Sequence, residues 1–499
     1  MKLILSNNIK IENCHPNLRR WIKKRYTYDN PVYLKNRLKK LPTWGIERKI
    51  ETFIEVGDTI YLGRGCEELY DELMNYDVTI VDKRVEGLSR NFKSNVELRD
   101  YQPTAVEKMI AEEVGVLVAP AGSGKTVIGC DIISRINTTT LWLVHTEELI
   151  KQSILRMEKF ISNTGRIGML YGKEKDLGDG NIIVASVNTL CLHEDLLKPL
   201  ANFVGLVILD EAHHAPATTF IEVLNNLKAK HVYGLTATPE RADGFQFLMH
   251  DTIGPVRYEV ERQQLYEQGS LIIPKLIPVY TEFEDSGLKV NEKGELVSLD
   301  AGGEDFDYHR MLNLLYHDEK RKELIAKNIV DTHRKGKYGL VLADNKQYLF
   351  EIEEKVNKLA PDLRTGVITA TVGAKTRRER MQKLNNKELD ITFATQLARE
   401  GLDIAHLSDL HLISPRKGDD DNNSRNGVAL EQELGRIMRP CEGKESTVYD
   451  YVDYECGVFL SQYRTRCKTY RRLGIDVPRK KGGSRREKRM SDFLNSGIF

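Results

Sequence analysis

The segment from Ala119 to Thr126, with the sequence Ala-Pro-Ala-Gly-Ser-Gly-Lys-Thr, restricts the fold of this chain more than any other. It follows an apolar run, Val114 to Val118, and precedes a helix-like run, Val127 to Ile133. The order strand, glycine-rich loop, helix is the setting that a phosphate-binding loop requires. Ala119 stands where the usual pattern has glycine. An ordinary glycine-rich turn ahead of a helix is the alternative, and the residues downstream decide between the two.

Each residue at the end of this loop has a chemical role in a phosphate site. Gly122, Ser123 and Gly124 would turn backbone N–H groups toward phosphate oxygens, with help from the positive end of the following helix. Lys125 would reach the β- and γ-phosphates, and the Thr126 hydroxyl would take a place on Mg²⁺. The loop therefore predicts ATP and Mg²⁺ as cofactors.

Length and composition are those of a soluble protein with several domains. The chain has 499 residues, of which 40% are hydrophobic and 29% charged, so we expect about three domains. No apolar run approaches the ~20 residues of a membrane span, and the start lacks a signal-peptide core. The sequence thus predicts a cytoplasmic protein without a membrane partner. Seven scattered cysteines without a C-x-x-C pair indicate neither a disulfide framework nor a zinc site.

The net charge of +1 hides two basic ends on an acidic body. Residues 1–50 carry thirteen Lys or Arg against three Asp or Glu, and residues 464–499 carry twelve against three. Such ends favour a polyanionic partner, because each phosphate that Lys or Arg neutralises releases a counterion. For the C-terminal end, a solvated tail without a partner is an equal alternative. Its last nine residues, Ser491 to Phe499, also permit a docking peptide for a protein partner.

The first 92 residues favour a small α+β module. Aromatic and cationic side chains are interleaved in Trp21 to Tyr28 and in Tyr33 to Lys40, a composition expected where nucleic acid binds, although aromatic residues more often belong to a core. A polar linker is expected from Lys83 to Asn95. Next, Gln102 lies beside an aromatic residue just ahead of the phosphate loop, where its amide could bind adenine.

Strand and helix signals then alternate, which predicts a parallel sheet covered by helices on both faces. Polar residues follow several strands: Thr146 after Leu141 to Val144, then Ser186 and Thr189 after Asn181 to Ala185. The carboxyl ends of parallel strands share one edge, where ligands bind. The buried run Gly205 to Leu209 brings two carboxylates to that edge.

These carboxylates begin the segment Asp210-Glu211-Ala212-His213. Asp210 is placed to hold Mg²⁺, and Glu211 to polarise the attacking water. The next strand ends in Thr236-Ala-Thr238-Pro239, followed by a polar loop that contains Arg241.

Taken together, these segments resemble motifs I, II and III of the superfamily 2 helicases. The "DEAH" spelling and the run "LTATPERADG" resemble the branch that contains the XPB-like and UvsW-like helicases and the restriction-enzyme translocases. In XPB the loop after motif III reads Arg-Glu-Asp, whereas this chain has Arg-Ala-Asp, so the role of that loop is not carried over.

The second half of the chain contains the remaining motifs. Thr395 to Ile404 resembles motif V, with Gly401 and Asp403 as nucleotide contacts. Gln432-Glu-Leu-Gly-Arg436-Ile-Met-Arg439 matches the motif VI pattern Q-x-x-G-R-x-x-R in full. The resemblance implies that the two arginines stabilise charge on the γ-phosphate and that Gln432 orients water or phosphate.

Further roles follow from the resemblance alone. A nucleic-acid strand would cross the loops that carry Thr146, Ser186, Thr189, Arg241, Thr371 and Thr395. Coupling between the strand and the nucleotide would involve His213, Thr236 and Thr238. The resemblance also implies 3′ to 5′ movement.

The predicted architecture is α/β, with two tandem RecA-like parallel-sheet domains, a small N-terminal α+β domain and a basic C-terminal tail. The expected ranges are 1–92 for the N-terminal nucleic-acid-contacting domain, 93–262 and 263–456 for the two RecA-like domains, and 457–499 for the tail. A hairpin with unknown role is expected at residues 286–299.

The leading hypothesis is an ATP-dependent DNA helicase or translocase that remodels duplex or branched DNA in replication, recombination or repair. One alternative is a duplex DNA translocase subunit of a restriction or phage-defence complex. Another is a nucleic-acid-binding scaffold with a vestigial ATPase. DNA is expected as partner, in single-stranded, duplex or branched form, and RNA is less favoured.

Overall fold

The computed structural model describes residues 1–211, 217–237, 244–284, 288–290, 296–298, 308–333, 337–369, 372–395, 404–418 and 426–478. The chain divides into two compact units, Met1–Leu265 and Tyr266–Phe499. The candidate-site residues His213, Thr238, Arg241, Thr371, Gly401 and Asp403 lie outside the described residues, as do residues 479–499.

The first unit begins with a small mixed sheet and three helices. Its elements are β1 Lys2–Leu5, β2 Ile9–Glu12, α1 Pro16–Arg25, β3 Thr27–Asp29, α2 Pro31–Leu38, β4 Lys49–Glu51, β5 Phe53–Val56, β6 Thr59–Leu62, α3 Glu68–Leu73, β7 Thr79–Asp82 and β8 Lys93–Ser94. Five strands form a sheet in the order β5-β6-β2-β1-β7. Alternating residues of β2 and Leu18 and Ile22 of α1 supply its buried core, which matches the period of each element.

This module packs directly on the rest of the first unit. Arg64 is buried and donates from Nη1 to the Ala229 carbonyl over 2.9 Å and from Nη2 to the Leu224 carbonyl over 3.3 Å. Asp251 is also buried and accepts hydrogen bonds from the Tyr28 hydroxyl at 3.2 Å and the Thr52 hydroxyl at 2.6 Å. Because buried charges need such partners, these contacts fix the module in place.

The larger part of the first unit is a parallel sheet with helices on its faces. Its elements are α4 Gln102–Ile110, β9 Val114–Val118, α5 Lys125–Ile136, β10 Thr140–Val144, α6 Glu147–Phe160, β11 Ile161–Ser162, β12 Ile167–Tyr171, β13 Glu174–Gly178, β14 Ile182–Ser186, α7 Val187–Leu192, α8 Glu194–Leu200, β15 Leu206–Asp210, α9 Ala217–Leu224, β16 His231–Thr236, α10 Gln246–Ile253, β17 Val256–Glu259 and α11 Arg262–Glu267.

Eight strands of this sheet run in the order β13-β12-β14-β10-β15-β16-β9-β17. All are parallel except β13, which pairs antiparallel with β12 at one edge. Every residue of β9, β10, β14 and β15 is buried, as expected for strands covered on both faces. The sheet therefore brings the ends of β9, β10, β14, β15 and β16 to one edge.

The second unit repeats this architecture with fewer strands. Its elements are β18 Lys275–Tyr280, β19 Leu288–Val290, β20 Leu296–Ser298, α12 Tyr308–His317, α13 Glu319–His333, β21 Gly339–Leu342, α14 Lys346–Leu359, β22 Thr365–Ile368, α15 Ala374–Asn385, β23 Ile391–Ala394, β24 Asp409–Leu412, α16 Asn426–Ile437, β25 Thr447–Val452 and α17 Gly457–Arg472. Six strands form a parallel sheet in the order β18-β25-β24-β21-β23-β22. The predicted fold class of two RecA-like domains is confirmed.

The predicted hairpin at residues 286–299 contains a strand pair. β19 and β20 pair antiparallel, with Leu288 opposite Ser298 and Val290 opposite Leu296. Its turn lies outside the described residues.

The prediction of a basic tail from residue 457 onward is wrong for the first part of that range. Residues Gly457–Arg472 form α17, which buries Phe459, Tyr463 and Tyr470 among other residues. The aromatic side chains recur at helical spacing, but the intervening Arg and Lys residues conceal that pattern in the composition. Arg466, counted with the tail, is buried and donates to both carboxylate oxygens of Asp450 at 2.8 Å.

None of the helices in the described residues is long and apolar enough to cross a membrane.

Candidate nucleotide site

The loop between β9 and α5 has the backbone that a phosphate cradle needs. Gly122 and Gly124 have φ values of 85° and 81°, in the left-handed region that glycine adopts without strain. A Cβ at Gly124 would lie 2.6 Å from the side-chain nitrogen of Gln102. Ala119 does not have a positive φ, so alanine fits the first position of the loop without backbone strain.

Lys125 connects this loop to the end of β15. Its Nζ lies 3.4 Å from Oε1 of Glu211 and donates to the Ala119 carbonyl over 3.3 Å. Glu211 has a φ of 51°, which non-glycine residues seldom adopt and which clusters at functional sites. Its backbone N–H donates to Oδ1 of Asp210 over 3.0 Å. The two predicted acidic residues are thus held beside the phosphate loop.

Asp210 is buried beside two cations and a second carboxylate. Burial and the charge of Glu211 raise the pKa of the Asp210 carboxyl to about 6, while Lys125 and Arg156 oppose that rise. Arg156 of α6 donates from Nη1 to the Thr126 hydroxyl over 2.8 Å. Burial lowers the pKa of Arg156, which nevertheless stays charged near neutral pH because arginine titrates far above it.

These residues fit ATP and Mg²⁺. The Ser123 hydroxyl is buried and has no hydrogen-bond partner in the described part of the chain, which leaves a polar atom for a ligand. Thr126 and Asp210 supply a hydroxyl and a carboxylate oxygen, the hard ligands that Mg²⁺ prefers. When bound, the metal would neutralise charge on the β- and γ-phosphates.

Two side chains that precede the phosphate loop in the sequence donate hydrogen bonds to its backbone. Gln102 is buried and donates from Nε2 to the Ser123 carbonyl over 3.0 Å, while its Oε1 accepts from the Arg99 N–H at 2.9 Å. The Tyr101 hydroxyl also donates to the Ser123 carbonyl. In this structure the Gln102 amide therefore supports the loop; its contact with adenine stays a prediction.

Thr236 joins the phosphate loop to the neighbouring strand. Its carbonyl accepts a hydrogen bond from the Ala119 N–H at 2.8 Å, and its side chain is fully buried at the end of β16. The backbone of the third predicted motif is therefore attached to the first.

The motif VI residues of the second unit lie on α16 and just after it. Gln432, Arg436 and Arg439 are all partly exposed, whereas Leu434 and Ile437 are buried. Lys444 donates to the carbonyl oxygens of Arg439 at 2.7 Å and Ala405 at 2.8 Å. Because Ala405 follows the predicted motif V, Lys444 connects the ends of the two motifs.

Comparison with known proteins assigns the family. Residues 95–241 match the family described as "Type III restriction enzyme, res subunit", and residues 319–441 match "Helicase conserved C-terminal domain". The chain is 30% identical to the "DNA 3'-5' translocase XPB2" of Sulfurisphaera tokodaii over 72% of this chain and 82% of that protein. The chain belongs to the superfamily 2 helicases.

One further relative of this superfamily 2 helicase agrees with that assignment, and one solved structure shares its fold. The "Putative ATP-dependent helicase IRC3" of Saccharomyces cerevisiae is 27% identical, over 76% of this chain and 54% of its own length. Among solved structures, "ATP-dependent Type ISP restriction-modification enzyme LlaBIII bound to DNA" has a TM-score of 0.55 at 16% identity, covering 76% of this chain and 30% of that one. Helicases of this superfamily hydrolyse ATP, and this chain is an enzyme of that kind.

The predicted nucleic-acid contacts of this helicase differ in their exposure. Thr146 is partly exposed and caps α6, where its hydroxyl accepts from the Leu149 N–H at 3.4 Å. Ser186, Thr189 and Thr395 are buried, with 1%, 6% and 9% of their surface exposed. Thr189 accepts a hydrogen bond from the Gly172 N–H at 3.0 Å. Of these four, Thr146 offers the most accessible side chain.

Sequence reasoning missed two side chains beside the phosphate loop, Arg156 and the loop-supporting Tyr101 hydroxyl, and it missed Lys444 in the second unit. A signal for Arg156 did exist, because Glu148, Gln152 and Arg156 recur every four residues and so share one face of α6. Lys444 has no comparable periodic neighbour, since it lies in a turn between α16 and β25.

Proposed function

We propose that this superfamily 2 helicase is an ATP-dependent DNA helicase or translocase that remodels duplex or branched DNA in replication, recombination or repair. We place it in the XPB-like branch, and its motif II has the sequence Asp-Glu-Ala-His. The relative from Sulfurisphaera is named a DNA 3′-5′ translocase, and we propose the same direction here. Mg²⁺ is the proposed metal.

The observation that carries this proposal is the convergence of four side chains beside the phosphate loop. Lys125 lies 3.4 Å from Glu211. Thr126 accepts a hydrogen bond from Arg156, whose charge, like that of Lys125, acts on Asp210. Lys125 would bind phosphate, Thr126 and Asp210 would hold the metal, and Glu211 would accept a proton from the attacking water. We propose Arg436 and Arg439 as the residues that stabilise γ-phosphate charge, with Gln432 orienting water.

The N-terminal module is the proposed additional contact for nucleic acid. Helix α2 has no buried residue, and the following loop contains Trp44, whose side chain is 96% exposed. The same segment carries four exposed cationic residues, Lys35, Arg37, Lys39 and Lys40. We define residues 31–49 as the α2 surface; exposed aromatic and cationic side chains together suit base stacking and phosphate pairing.

The test is steady-state ATP hydrolysis by the full chain without nucleic acid, then with single-stranded DNA, duplex DNA, a fork, a four-way junction and RNA, each at two salt concentrations. We expect stimulation by DNA above that by RNA. Lys125→Ala is the control that removes the phosphate-binding cation. Equal turnover under all conditions, with Lys125→Ala also unchanged, would refute the proposal and favour the scaffold with a vestigial ATPase.

A duplex translocase subunit of a restriction or phage-defence complex is the second candidate. The match of residues 95–241 to the restriction-enzyme family favours it. Displacement of a triplex-forming strand without separation of a forked duplex would support this candidate, whereas fork separation would support the first.

A further inference from the structure

Arg156 lies outside the motifs identified in the sequence, yet it contacts the candidate nucleotide site. Its Nη1 donates to the Thr126 hydroxyl over 2.8 Å. Its guanidinium also lies close enough to Asp210 for each charge to act on the other. Arg156 therefore reaches both side chains that are proposed to hold Mg²⁺.

Lys125 acts on the same carboxylate from a different position, since its charge and that of Arg156 both favour ionised Asp210. Its ammonium group faces Glu211 at 3.4 Å and the Ala119 carbonyl at 3.3 Å. A buried carboxylate such as Asp210 needs a positive charge nearby, because an uncompensated buried charge is strongly unfavourable. Lys125 and Arg156 both supply such a charge, and Arg156 is the cation that also hydrogen-bonds to Thr126.

We infer that Arg156 is the cation that occupies the Thr126 side of the metal site when nucleotide is absent, and that Mg²⁺ entering with nucleotide displaces it. This inference rests on the proposed function, since it takes Thr126 and Asp210 as the metal ligands. Mg²⁺ binds oxygen ligands at short range in octahedral geometry. A divalent ion and a guanidinium beside the same two ligands repel each other strongly in a partly buried site.

Displacement of Arg156 has a consequence for nucleic acid. Arg156 lies on α6, and the residue that caps the start of this helix is Thr146, the most accessible of the four described nucleic-acid candidates. Ten residues separate them, or ~15 Å along a helix. Movement of Arg156 away from Thr126 would therefore be transmitted by one helix to the predicted nucleic-acid edge. By linkage, nucleic acid bound there would alter the affinity for the metal and nucleotide by the same factor.

The experiment titrates Mg²⁺ into the full-length protein at a fixed concentration of N-methylanthraniloyl-ADP, without nucleic acid, and measures fluorescence. We expect Arg156→Met to lower the Mg²⁺ midpoint by about fivefold, because the competing cation is gone. Arg156→Lys keeps the charge on a shorter side chain, so its Mg²⁺ midpoint should lie between those of Arg156→Met and wild type. The matched control is Arg135→Met, which removes an arginine that pairs with Asp131 at 2.9 Å on the neighbouring helix. An unchanged or higher midpoint in Arg156→Met, with Arg135→Met at the wild-type value, would overturn the inference.

A second measurement, thermal unfolding, checks that the variant is folded. The Tm of Arg156→Met without ligand should fall, and Mg²⁺ with ADP should raise it by more than in wild type. If Arg156→Met does not fold, the neutral, polar Arg156→Gln takes its place in the titration, and a midpoint equal to wild type refutes displacement. These readouts need no DNA, so they stand apart from the DNA-stimulated turnover that tests the proposed function.

Discussion

The ammonium group of Lys125 lies 3.4 Å from the carboxylate of Glu211, and Glu211 is held in a left-handed conformation with a φ of 51°. The pair joins the phosphate loop after β9 to the end of β15, two strands that β16 separates in the sheet. A strained acidic residue that faces the phosphate-binding lysine is a sound candidate for the general base.

Replacing Glu211 with glutamine tests that role. We expect Glu211→Gln to lower the kcat of DNA-stimulated hydrolysis by about 100-fold or more, because the amide cannot accept a proton from water. Nucleotide affinity, measured by fluorescent-nucleotide titration, should stay close to wild type. Glu174→Gln is the control, since Glu174 is an exposed residue on the edge strand β13. Turnover of Glu211→Gln within a few-fold of wild type would exclude this residue as the base.

Asp210 predicts a dependence of stability on pH. Burial and Glu211 raise the pKa of the Asp210 carboxyl to about 6. The folded state therefore holds a proton over a pH range in which the unfolded state has lost it, so ionised Asp210 destabilises the fold above pH 6 and this penalty disappears toward pH 4.

We accordingly expect Asp210→Asn, without nucleotide, to raise the free energy of unfolding at pH 7.5 by about 1 to 3 kcal/mol. The gain should shrink to near zero at pH 4. Thermal unfolding of both proteins across this range checks it. A gain that is constant with pH would show that the ionisation of Asp210 is not its source.

Arg439 tests the proposed role of motif VI. We expect Arg439→Ala to reduce kcat by about 1,000-fold, in line with the loss of an arginine finger, while nucleotide binding is largely kept. Arg436→Ala should act in the same direction. Lys358→Ala, which removes an exposed cation paired with Glu354 at 2.6 Å, is the control. Wild-type turnover in Arg439→Ala would contradict the role assigned to motif VI.

Substitutions at Trp44 and its neighbouring lysines test whether the α2 surface binds DNA. Trp44→Ala should weaken DNA binding about tenfold if a base stacks on the indole ring. Replacing Lys39 and Lys40 together with alanine should reduce the slope of log affinity against log salt by up to about 2, because each lysine that pairs with a phosphate releases about one ion. The control is Met74→Ala, because Met74 is 84% exposed but follows the acidic helix α3. Equal effects of Trp44→Ala and Met74→Ala would remove support for stacking.

Arg466 tests the packing of α17. It donates to both carboxylate oxygens of buried Asp450, and Arg466→Met would leave that carboxylate with the Tyr470 hydroxyl but without its cationic partner. We expect a loss of about 3 to 5 kcal/mol in the free energy of unfolding of the second unit. Arg471→Met, at an exposed position of the same helix, is the control. Adding Asp450→Asn to Arg466→Met should recover part of the loss, since it neutralises the orphaned carboxylate.

Most of the fold was predictable because buried parallel strands have a strong sequence pattern. Val114 to Val118 is apolar throughout and bounded by a glycine-rich loop, and the structure places β9 there. The same reasoning failed for α17, where Arg466 occupies a buried position that composition assigns to solvent. Charge counts alone cannot distinguish an arginine paired inside the fold from one in a solvated tail.

The site was predictable only where chemistry is fixed by local spacing. Lys125 and Thr126 follow from their place after two glycines, and the structure brings Lys125 to Glu211 as the strand order requires. Arg156 comes from a different element, and its hydrogen bond to Thr126 depends on how α6 packs against α5. Packing between helices is set by the whole surface of both, so no short pattern encodes that hydrogen bond.

Arg64 attaches the small N-terminal module to the rest of the first unit. Its guanidinium holds the carbonyl oxygens of Leu224 at the end of α9 and of Ala229 just before β16, inside the same compact unit that carries the phosphate loop. DNA bound to the α2 surface would therefore be anchored to the same compact unit that carries the phosphate loop.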